Sequence, residues 1–399
     1  MATMADLLTL DEALAQVLER VDPLPAETVA VEHASGRVLA EEVRAGVDLP
    51  SFRSSAMDGF AVRAKDTPGT LPVSFRIAAG RPAERALRAG EAMGISTGGV
   101  VPEGADAVVP IEDVVASANA ITLAASVEDG ANVRPVAGDV RAGEVVLTAG
   151  LALSPARLGA LAAAGVTSIR CFRRPRVAVL STGSELSRPG TSLEPGQIYE
   201  SNSLMLASAL TGAGAGVEQL EPVADDPAAH RAALERGLRA DVLVSSGGVS
   251  VGSHDLVRSV GADLGVEEVF WRVAVKPGKP VAFGVRGRTL VFGLPGNPVS
   301  ALVGFELFVR PAIRALAGHA RPGPLFEQGL LAQPVRRIAT RDQLVRARSG
   351  LDATETVLHP LRGQDSHMIV RAAAADALVL VPLGEGELPR GARVRYLRI

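Results

Sequence analysis

The chain has 399 residues, of which 47% are hydrophobic and 21% charged, and its formal net charge is −3 at pH 7. This composition is typical of globular proteins and argues against a disordered chain, and the length suggests roughly two to three domains. The small negative charge argues against nucleic acid or an anionic membrane as the main partner. A single cysteine, with neither a basic and apolar leader nor an apolar run of about 18 residues, predicts a cytoplasmic, soluble protein.

The first 172 residues are predicted to form a composite, β-rich region. The sequence T-L-D-E at residues 9–12 is a capping box, and apolar residues follow it at helical spacing. The chain should therefore begin with an amphipathic helix. Short alternating runs separated by Gly and Pro then predict an inserted β module over about residues 55–140.

Four polar residues in or beside this module are candidates for a binding site. Asp58 lies at a polar loop tip between apolar anchors, and Thr97 follows the end of a predicted strand. Arg134 and Asp139 place a cation and an acid in one loop. Simple structural roles, as turn residues or a surface ion pair, would also explain these positions.

Residues 173–320 are predicted to form an α/β domain. Apolar runs of strand length alternate there with helical patterns, and this βαβ succession indicates a mostly parallel sheet covered on both faces. Ligands of such sheets bind beyond the carboxyl ends of the strands. Glycine loops follow the predicted strands at that edge, and glycine loops that lead into helices suit an oxyanion or phosphate. The residues predicted to line the site are Gly183, Ser246, Gly247, Gly248, Ser250, Pro295, Gly296, Asn297 and Pro298.

Acidic residues stand close to the same edge, namely Glu185, Asp225 and Asp255. Carboxylates beside a phosphate loop are repulsive unless a hard cation such as Mg²⁺ bridges them, so the three are candidate ligands of Mg²⁺. The alternative for Asp225, together with Asp226, is to cap the helix that begins at Pro227. The histidines are scattered without ligand spacing, so we predict no zinc site.

Lysine is rare in this chain, since three lysines stand against 38 arginines. Two of them, Lys276 and Lys279, are three positions apart. A lysine is a compact point charge, whereas arginine is a planar fork. We therefore predict that both lysines contact a phosphate or a metal oxyanion.

The long final helix of the α/β domain is predicted over residues 298–317, and the segment after it has no helical period. An R-P-G-P linker at residues 321–324 leads into short strands separated by glycine turns, predicted at residues 333–338, 343–348, 356–358, 377–381 and 393–397. Residues 321–399 are therefore predicted to form a small β-barrel or sandwich.

Several motifs occur in order: S-A-M-D-G-F-A, S-T-G-G-V-V-P-E-G-A-D-A-V-V, N-V-R, V-L-S-T-G-S-E-L, G-Q-I-Y-E-S-N, S-S-G-G-V-S-V-G-S-H-D, V-K-P-G-K-P and G-L-P-G-N-P-V-S. Together they resemble the molybdopterin molybdenumtransferases, the family of bacterial MoeA and the gephyrin E-domain, over about residues 7–399. Ser184 stands where that family commonly has an aspartate, which leaves Glu185 as the only carboxylate of its motif.

The resemblance implies a four-part subunit with a molybdopterin-binding α/β domain and a C-terminal β-barrel, in a homodimer with active sites between subunits. It implies insertion of molybdate into adenylylated molybdopterin with release of AMP, the last step of molybdenum cofactor biosynthesis, with Mg²⁺ as cofactor. It also implies transient contacts with the adenylyltransferase that supplies the substrate and with molybdoenzyme acceptors.

The resemblance also assigns roles to the candidate residues. The glycine loops would cradle the phosphates and the pterin, and Lys276 and Lys279 would neutralise phosphate and molybdate oxygens. Asp58, together with Thr97, Arg134 and Asp139, would close the site from the partner subunit. The carboxylates proposed to hold Mg²⁺ are Glu185, Asp225 and Asp255. The residues expected to act in catalysis are Asp58, Glu185, Lys276, Lys279 and Asp255.

Two other functions remain open at this point. A molybdopterin adenylyltransferase would use the same α/β domain but would need neither the Asp58 loop nor the C-terminal barrel. A non-catalytic molybdopterin-binding scaffold would be free to lose Asp58 or Glu185, and this sequence has both.

The lysine pattern generates a testable prediction. Replacing Lys279→Arg should lower turnover while leaving thermal stability nearly unchanged, because the larger guanidinium cannot replace an ammonium in a tight oxyanion site. Steady-state turnover and thermal melting of the two proteins would test this. Equal turnover by the arginine variant would contradict the proposed role of the lysine.

Overall fold

The computed structural model describes residues 7–248, 256–352 and 354–399. The chain divides into two units. The large unit comprises Met1–Glu27, Gly36–Val38 and Phe172–Ile399, and the small unit comprises Thr28–Ser35 and Leu39–Cys171. The domain boundaries predicted from the sequence, at residues 1–172, 173–320 and 321–399, stay a prediction.

The helices of the described residues are short. The α-helices are α1 (Leu10–Leu18), α2 (Pro155–Ala163), α3 (Asn202–Gly212), α4 (Pro227–Gly237), α5 (Leu256–Asp263), α6 (Pro298–Gly304), α7 (Arg310–Leu316) and α8 (Ile369–Ala372). Three 3₁₀ turns at Val31–His33, Ala64–Asp66 and Ile111–Asp113 and a π-helical turn at Phe305–Val309 are also present among the described residues. Of these helices, none combines the length and the apolar character needed to cross a bilayer.

The strands of the described residues run from β1 to β28 along the chain. Before residue 173 they are β1 (Ala26–Ala30), β2 (Val43–Arg44), β3 (Ser54–Ser55), β4 (Gly59–Val62), β5 (Gly69–Ile77), β6 (Ala92–Ile95), β7 (Ala107–Pro110), β8 (Val115–Ala116), β9 (Ala120–Leu123), β10 (Val133–Arg134), β11 (Val145–Leu147) and β12 (Ser168–Phe172). The next are β13 (Arg176–Ser181), β14 (Leu186–Ser187), β15 (Ile198–Tyr199), β16 (Gly216–Gln219), β17 (Val242–Ser246), β18 (Glu267–Trp271), β19 (Val275–Lys276), β20 (Ala282–Arg286) and β21 (Thr289–Leu294). The last are β22 (Glu327–Leu331), β23 (Val335–Arg336), β24 (Asp342–Asp352), β25 (Glu355–Pro360), β26 (Ala377–Val381), β27 (Glu387–Leu388) and β28 (Arg393–Arg398).

Helix α1 begins as its capping box predicts. The Thr9 hydroxyl accepts the N–H of Glu12 at 3.2 Å, and the Glu12 carboxylate accepts the N–H of Thr9 at 2.8 Å. These reciprocal bonds satisfy backbone donors that a helix start leaves unpaired. The buried face of α1 joins the main core of the large unit.

The small unit contains a six-stranded sheet in the order β7-β4-β6-β5-β9-β8. Its two faces carry separate cores because side chains alternate along each strand. Phe60 and Val62 of β4 belong to one apolar cluster, whereas Ala61 between them belongs to another. The β-rich module predicted from the sequence is confirmed.

The large unit is built on a six-stranded sheet in the order β16-β13-β17-β21-β20-β18. Strands β16, β13, β17 and β21 are parallel, and β20 and β18 are joined by antiparallel pairing at one edge. Val177 and Val179 pack into the core that contains α1, α3, α6 and α7, whereas Ala178 and Leu180 face α4 and α5. The prediction of a mostly parallel sheet covered on both faces is confirmed.

The long final helix of this domain differs from the sequence prediction, which gave one helix over residues 298–317. The structure has α6, then a π-helical turn, then α7, and Pro311 lies just after the turn. A proline has no N–H to bond to the carbonyl four residues earlier, so the regular ladder is interrupted there. Glu306 and Arg310 form a bidentate ion pair at 2.6 and 2.7 Å across this turn.

The C-terminal region of the large unit forms a closed barrel of five strands, β24-β25-β22-β28-β26, with β26 returning to pair with β24. Strand β19 from the α/β region adds to the free side of β24. The predicted β-barrel is confirmed, although two strand predictions were wrong. The run at residues 333–338 forms only the two-residue β23, because Pro334 cannot donate a ladder bond. Strand β22 was not predicted.

One ion pair of the small unit makes stability depend on pH. Arg85 contacts both carboxylate oxygens of Glu91, at 2.5 and 2.9 Å, and the N–H of Arg88 donates to the same carboxylate at 2.7 Å. The hydrogen bonds from Arg85 lower the pKa of Glu91 from 4.5 to about 2. A depressed carboxylate pKa contributes stability that is present above pH 4.5 and is lost as the pH falls towards 2.

We therefore expect Arg85→Gln to lower the urea concentration at the midpoint of unfolding near neutral pH, and this difference from the parent should shrink as the pH falls below 4.5. Urea unfolding at several pH values would measure it. Arg88→Gln is the control, because its contact with Glu91 uses the backbone N–H. A difference that stays constant down to pH 2 would contradict the assignment.

Candidate ligand cavity

The candidate site is a cavity of about 810 Å³ in the large unit, at the carboxyl ends of β13, β17 and β21. The three strands end level, because Ser181 pairs with Ser246 and Ser246 pairs with Leu294. A parallel sheet brings such strand ends to one edge, so the loops that follow them meet. The tertiary structure thus joins segments about 50 to 110 residues apart in sequence.

Glycine is required where these loops approach each other. Gly247 has φ 96°, and a Cβ there would lie 2.4 Å from the carbonyl oxygen of Thr182. Gly183 has φ 152°, and a Cβ there would lie 2.5 Å from the carboxylate of Glu185. Because the dihedrals at both positions and the close carbonyl at Gly247 disfavour a side chain, the cavity wall is bare backbone at these two glycines.

The sequence predicted most of this wall. The residues that line the cavity include Gly183, Ser246, Gly247, Gly248, Pro295, Gly296, Asn297 and Pro298. Ser250, predicted for the same loop, lies outside the described residues.

Two of the three predicted acids reach the cavity. Glu185 and Asp225 both line it, whereas Asp255 lies outside the described residues. The Ser184 hydroxyl donates to the Asp225 carboxylate at 3.1 Å and accepts the Asp225 N–H at 3.0 Å, which fixes this aspartate at the rim. The helix-capping role belongs to Asp226, whose carboxylate accepts the N–H of Ala229 at 2.7 Å.

The donor set suits a metal that is held partly by substrate. Among the residues that the structure describes, no group of three or more His, Cys, Asp or Glu side chains could enclose an ion. Mg²⁺ in phosphate chemistry commonly uses one or two carboxylates plus substrate phosphates and water. Glu185 and Asp225, exposed on one cavity, fit that arrangement.

The charge of the cavity wall is negative. The acidic side chains along it are Glu185, Glu200 and Asp225, and none of the described lining residues is Lys or Arg. An anionic ligand would therefore need cations from outside this wall.

The two predicted lysines lie beside this cavity and not on its described wall. Lys276 lines a neighbouring cavity of about 280 Å³ together with Arg336 and Gln343. Lys279 is half-buried, and its carbonyl accepts the N–H of Val273 at 3.0 Å. Pro280, the next residue, lines the larger cavity. The loop that carries both lysines thus lies between the two cavities.

The small unit brings two of its predicted residues into contact. The N–H of Thr97 donates to the Asp58 carboxylate at 2.8 Å. Gly59 lies so close to β7 that a Cβ there would be 1.9 Å from the carbonyl oxygen of Val109. Arg134 and Asp139 are both exposed, and no ion pair between them occurs in the described part of the chain.

Two buried polar residues of the cavity wall received no role from the sequence. Glu200 is 9% exposed and accepts the Ser181 hydroxyl and the Ser203 N–H, each at 2.8 Å. The Asn202 amide nitrogen donates to the Ser246 hydroxyl and to the Gly296 carbonyl, each at 2.7 Å. Asn202 therefore ties together the loops after β17 and β21. The E-S-N motif at residues 200–202 was the available signal.

The barrel also contributes to the cavity, and no sequence signal pointed to it. His367 and Ile369 line the wall, and the Ser366 hydroxyl accepts the Asn297 amide at 3.0 Å. Arg346, only 1% exposed, fixes this loop through three backbone carbonyls. Its acceptors are the carbonyls of Gly363, Asp365 and Met368.

The Asn202 contacts predict a clear effect on stability. Asn202→Asp removes both hydrogen bonds that the amide donates and places a carboxylate against the Gly296 carbonyl, so the free energy of unfolding should fall by about 2–4 kcal/mol. Guanidinium unfolding would measure this. Asn119→Asp is the control, since Asn119 is exposed and should change stability by no more than about 0.5 kcal/mol. Equal, small effects of both substitutions would contradict the role of Asn202.

Three family models match this chain. The MoeA N-terminal region (domain I and II) matches residues 8–165, a probable molybdopterin binding domain matches residues 178–315, and the MoeA C-terminal region (domain IV) matches residues 328–399. The cavity loops of the α/β region fall within the second match.

Curated relatives match over nearly the full length. Molybdopterin molybdenumtransferase 2 of Mycobacterium tuberculosis H37Rv is 39% identical over 383 residues, which is 92% of this chain and 94% of that protein. Molybdopterin molybdenumtransferase of Bacillus subtilis is 32% identical and covers 98% of this chain and 94% of its own length. A crystal structure of the molybdopterin biosynthesis MoeA protein from Pyrococcus horikoshii has 32% identity and a TM-score of 0.79, covering 98% of this chain and 99% of its own. The chain therefore belongs to the molybdopterin molybdenumtransferase family.

Proposed function

We propose that this protein inserts molybdate into adenylylated molybdopterin and releases AMP, as a molybdopterin molybdenumtransferase. The observation that carries this proposal is the glycine-walled cavity at the ends of three parallel strands, inside the segment matched as a molybdopterin binding domain. The cavity volume of about 810 Å³ lies within the range of about 300–1,000 Å³ that is typical of small-molecule and cofactor sites. An adenylyltransferase or a non-catalytic scaffold is not favoured, because the relatives that match over nearly the full length are named molybdopterin molybdenumtransferases.

The glycine loops are suited to the phosphate part of the substrate. Gly247 and Gly248 carry no side chain at positions where one would block a close approach to the backbone. Because the described wall has no basic side chain, we propose that Lys276 and Lys279 supply positive charge from the adjoining loop. They would hold molybdate within reach of the two soft dithiolene sulfurs.

We also propose that Glu185 and Asp225, together with Asp255, which the sequence predicts near the same edge, hold Mg²⁺. Bound there, the ion would neutralise negative charge on the phosphoanhydride. Ser184 keeps the Asp225 carboxylate in place through its two hydrogen bonds. Glu185 lies over the backbone of Gly183, which leaves its carboxylate exposed towards a ligand.

The remaining predicted residues are proposed to act from a second subunit of a homodimer. Asp58, Thr97, Arg134 and Asp139 are all exposed and so are available to a partner. Arg134 would add a cation to an anionic cavity wall. We further propose a cytoplasmic location, which a chain with one buried cysteine suits. Transient contacts with the adenylyltransferase that supplies the substrate and with molybdoenzyme acceptors complete the proposal.

The carboxylates provide the direct test of the chemistry. Asp58→Asn and Glu185→Gln preserve shape but remove charge, so each variant should bind adenylylated molybdopterin at least as well as the parent, because repulsion of the anion is relieved. Each should release little AMP when molybdate is added. Normal turnover with only a lower melting temperature would show that the residue is structural.

Co-expression of the two variants tests the shared site. If Asp58 of one subunit serves the cavity of the other, random pairing makes about half the dimers mixed, and each mixed dimer has one site with both carboxylates. Activity should then return to roughly a quarter of the parent level. A monomer by light scattering, or no recovery above the separate variants, would contradict the proposal.

A further inference from the structure

Two polar groups of the cavity are buried without a hydrogen-bond partner. The Thr182 hydroxyl and the amide oxygen of Asn202 have none among the described residues, although the two residues are only 5% and 9% exposed. Both residues line the cavity. Such groups cost free energy and are rare in native proteins, so two of them on one cavity indicate contacts that a ligand completes.

The hydrogen bonds around Asn202 establish which atom is unpaired. The Gly296 carbonyl can only accept, so the atom that contacts it at 2.7 Å must be the amide nitrogen. The Ser246 hydroxyl accepts from the same nitrogen and lies 3.3 Å from the Pro295 carbonyl, to which it donates. The unpaired atom is therefore the amide oxygen, which is an acceptor only.

Both unpaired groups flank the same short piece of backbone. The N–H of Thr182 donates to the Ser246 carbonyl at 3.0 Å, while Asn202 contacts the Ser246 hydroxyl. A Cβ on Gly247 would lie 2.8 Å from the Thr182 hydroxyl, and one on Gly248 would lie 3.1 Å from it. The two glycines thus keep the space beside this hydroxyl free.

The chemistry of the pair selects its ligand. Phosphate and molybdate oxygens are acceptors at neutral pH, so they cannot satisfy the amide oxygen of Asn202. A hydrogen-bond donor such as an N–H is required there, and the Thr182 hydroxyl can accept a second N–H or donate to a ring carbonyl. The amino-oxo edge of a pterin presents adjacent N–H and C=O groups.

We propose that Thr182 and Asn202 form the subsite that recognises the uncharged, N–H-bearing edge of the pterin, whereas the phosphates lie further along the glycine loops. This inference rests on the proposed function, because it takes molybdopterin as the ligand of the cavity. It adds two specificity-determining residues that the predicted site did not contain.

Thr182→Val is the direct test, because valine has nearly the same shape and lacks the hydroxyl. In the free protein no hydrogen bond is lost, so the melting temperature should stay the same or rise. Affinity for molybdopterin, measured by anaerobic titration of the full-length protein, should fall about tenfold. Thr182→Ser retains the hydroxyl and should keep most of the affinity. Affinity for AMP should be unchanged in both variants.

Thr289→Val is a matched control in the same unit. The Thr289 hydroxyl is hydrogen-bonded to the Ala240 carbonyl at 3.0 Å, and Thr289 is not among the described residues that line the cavity. Removing the Thr289 hydroxyl should lower the melting temperature and leave the affinity for molybdopterin unchanged, which is the opposite of the pattern expected for Thr182→Val.

The possible outcomes separate this subsite from the proposed function. If the parent binds molybdopterin and Thr182→Val binds it equally well, the subsite is wrong and the proposed function stands. A loss of affinity for AMP instead of molybdopterin would assign the pair to adenine and overturn the pterin assignment. A lower melting temperature for Thr182→Val without loss of affinity would show a purely structural hydroxyl. A parent that binds neither ligand and inserts no molybdate would overturn both proposals.

Discussion

The level ending of β13, β17 and β21 is the constraint on which the rest of the candidate site depends. Parallel pairing aligns Ser181, Ser246 and Leu294, so three loops leave the sheet at one edge. Without side chains, the glycines of those loops can lie against each other and against Thr182. The Asn202 amide then ties two of the loops through Ser246 and Gly296. The strand register therefore brings the three cavity loops together.

Electrostatics explains why the candidate site has several contributors. The described wall of the cavity carries carboxylates and no basic side chain, yet the proposed substrate carries phosphates. Uncompensated, that combination would repel the ligand. We propose that the charge is balanced from neighbouring parts, namely the loop with Lys276 and Lys279, a bridging cation, and Arg134 of a second subunit. The phosphates and the ring of the proposed ligand need different contacts, because an acceptor such as the Asn202 oxygen suits a ring N–H and not a phosphate.

The sequence predicted the parts of the site whose backbone chemistry is local. Glycine loops after apolar strand runs, the acids beside them and the Asp58 turn were all found from composition and spacing, and eight of the nine predicted loop residues line the cavity. The residues that were missed share a different character. Thr182 and Asn202 matter through what they leave unpaired, and His367 and Ile369 arrive from the barrel. Neither property has a signature in a linear pattern, because each depends on contacts between distant segments.

What the sequence by itself determined is the class of each element: the capped first helix, the α/β alternation, the β-rich module, the C-terminal barrel and the family. These follow from periodicity, capping and turn chemistry, which act over a few residues. Only the tertiary structure decided how the barrel closes, by returning β26 to β24, and which aspartate caps α4. It also placed Lys276 in a neighbouring cavity and left the Thr182 hydroxyl and the Asn202 amide oxygen without a hydrogen-bond partner among the described residues. The physical reason is that strand register, burial and hydrogen-bond satisfaction are properties of pairs of segments, and a single segment does not contain them.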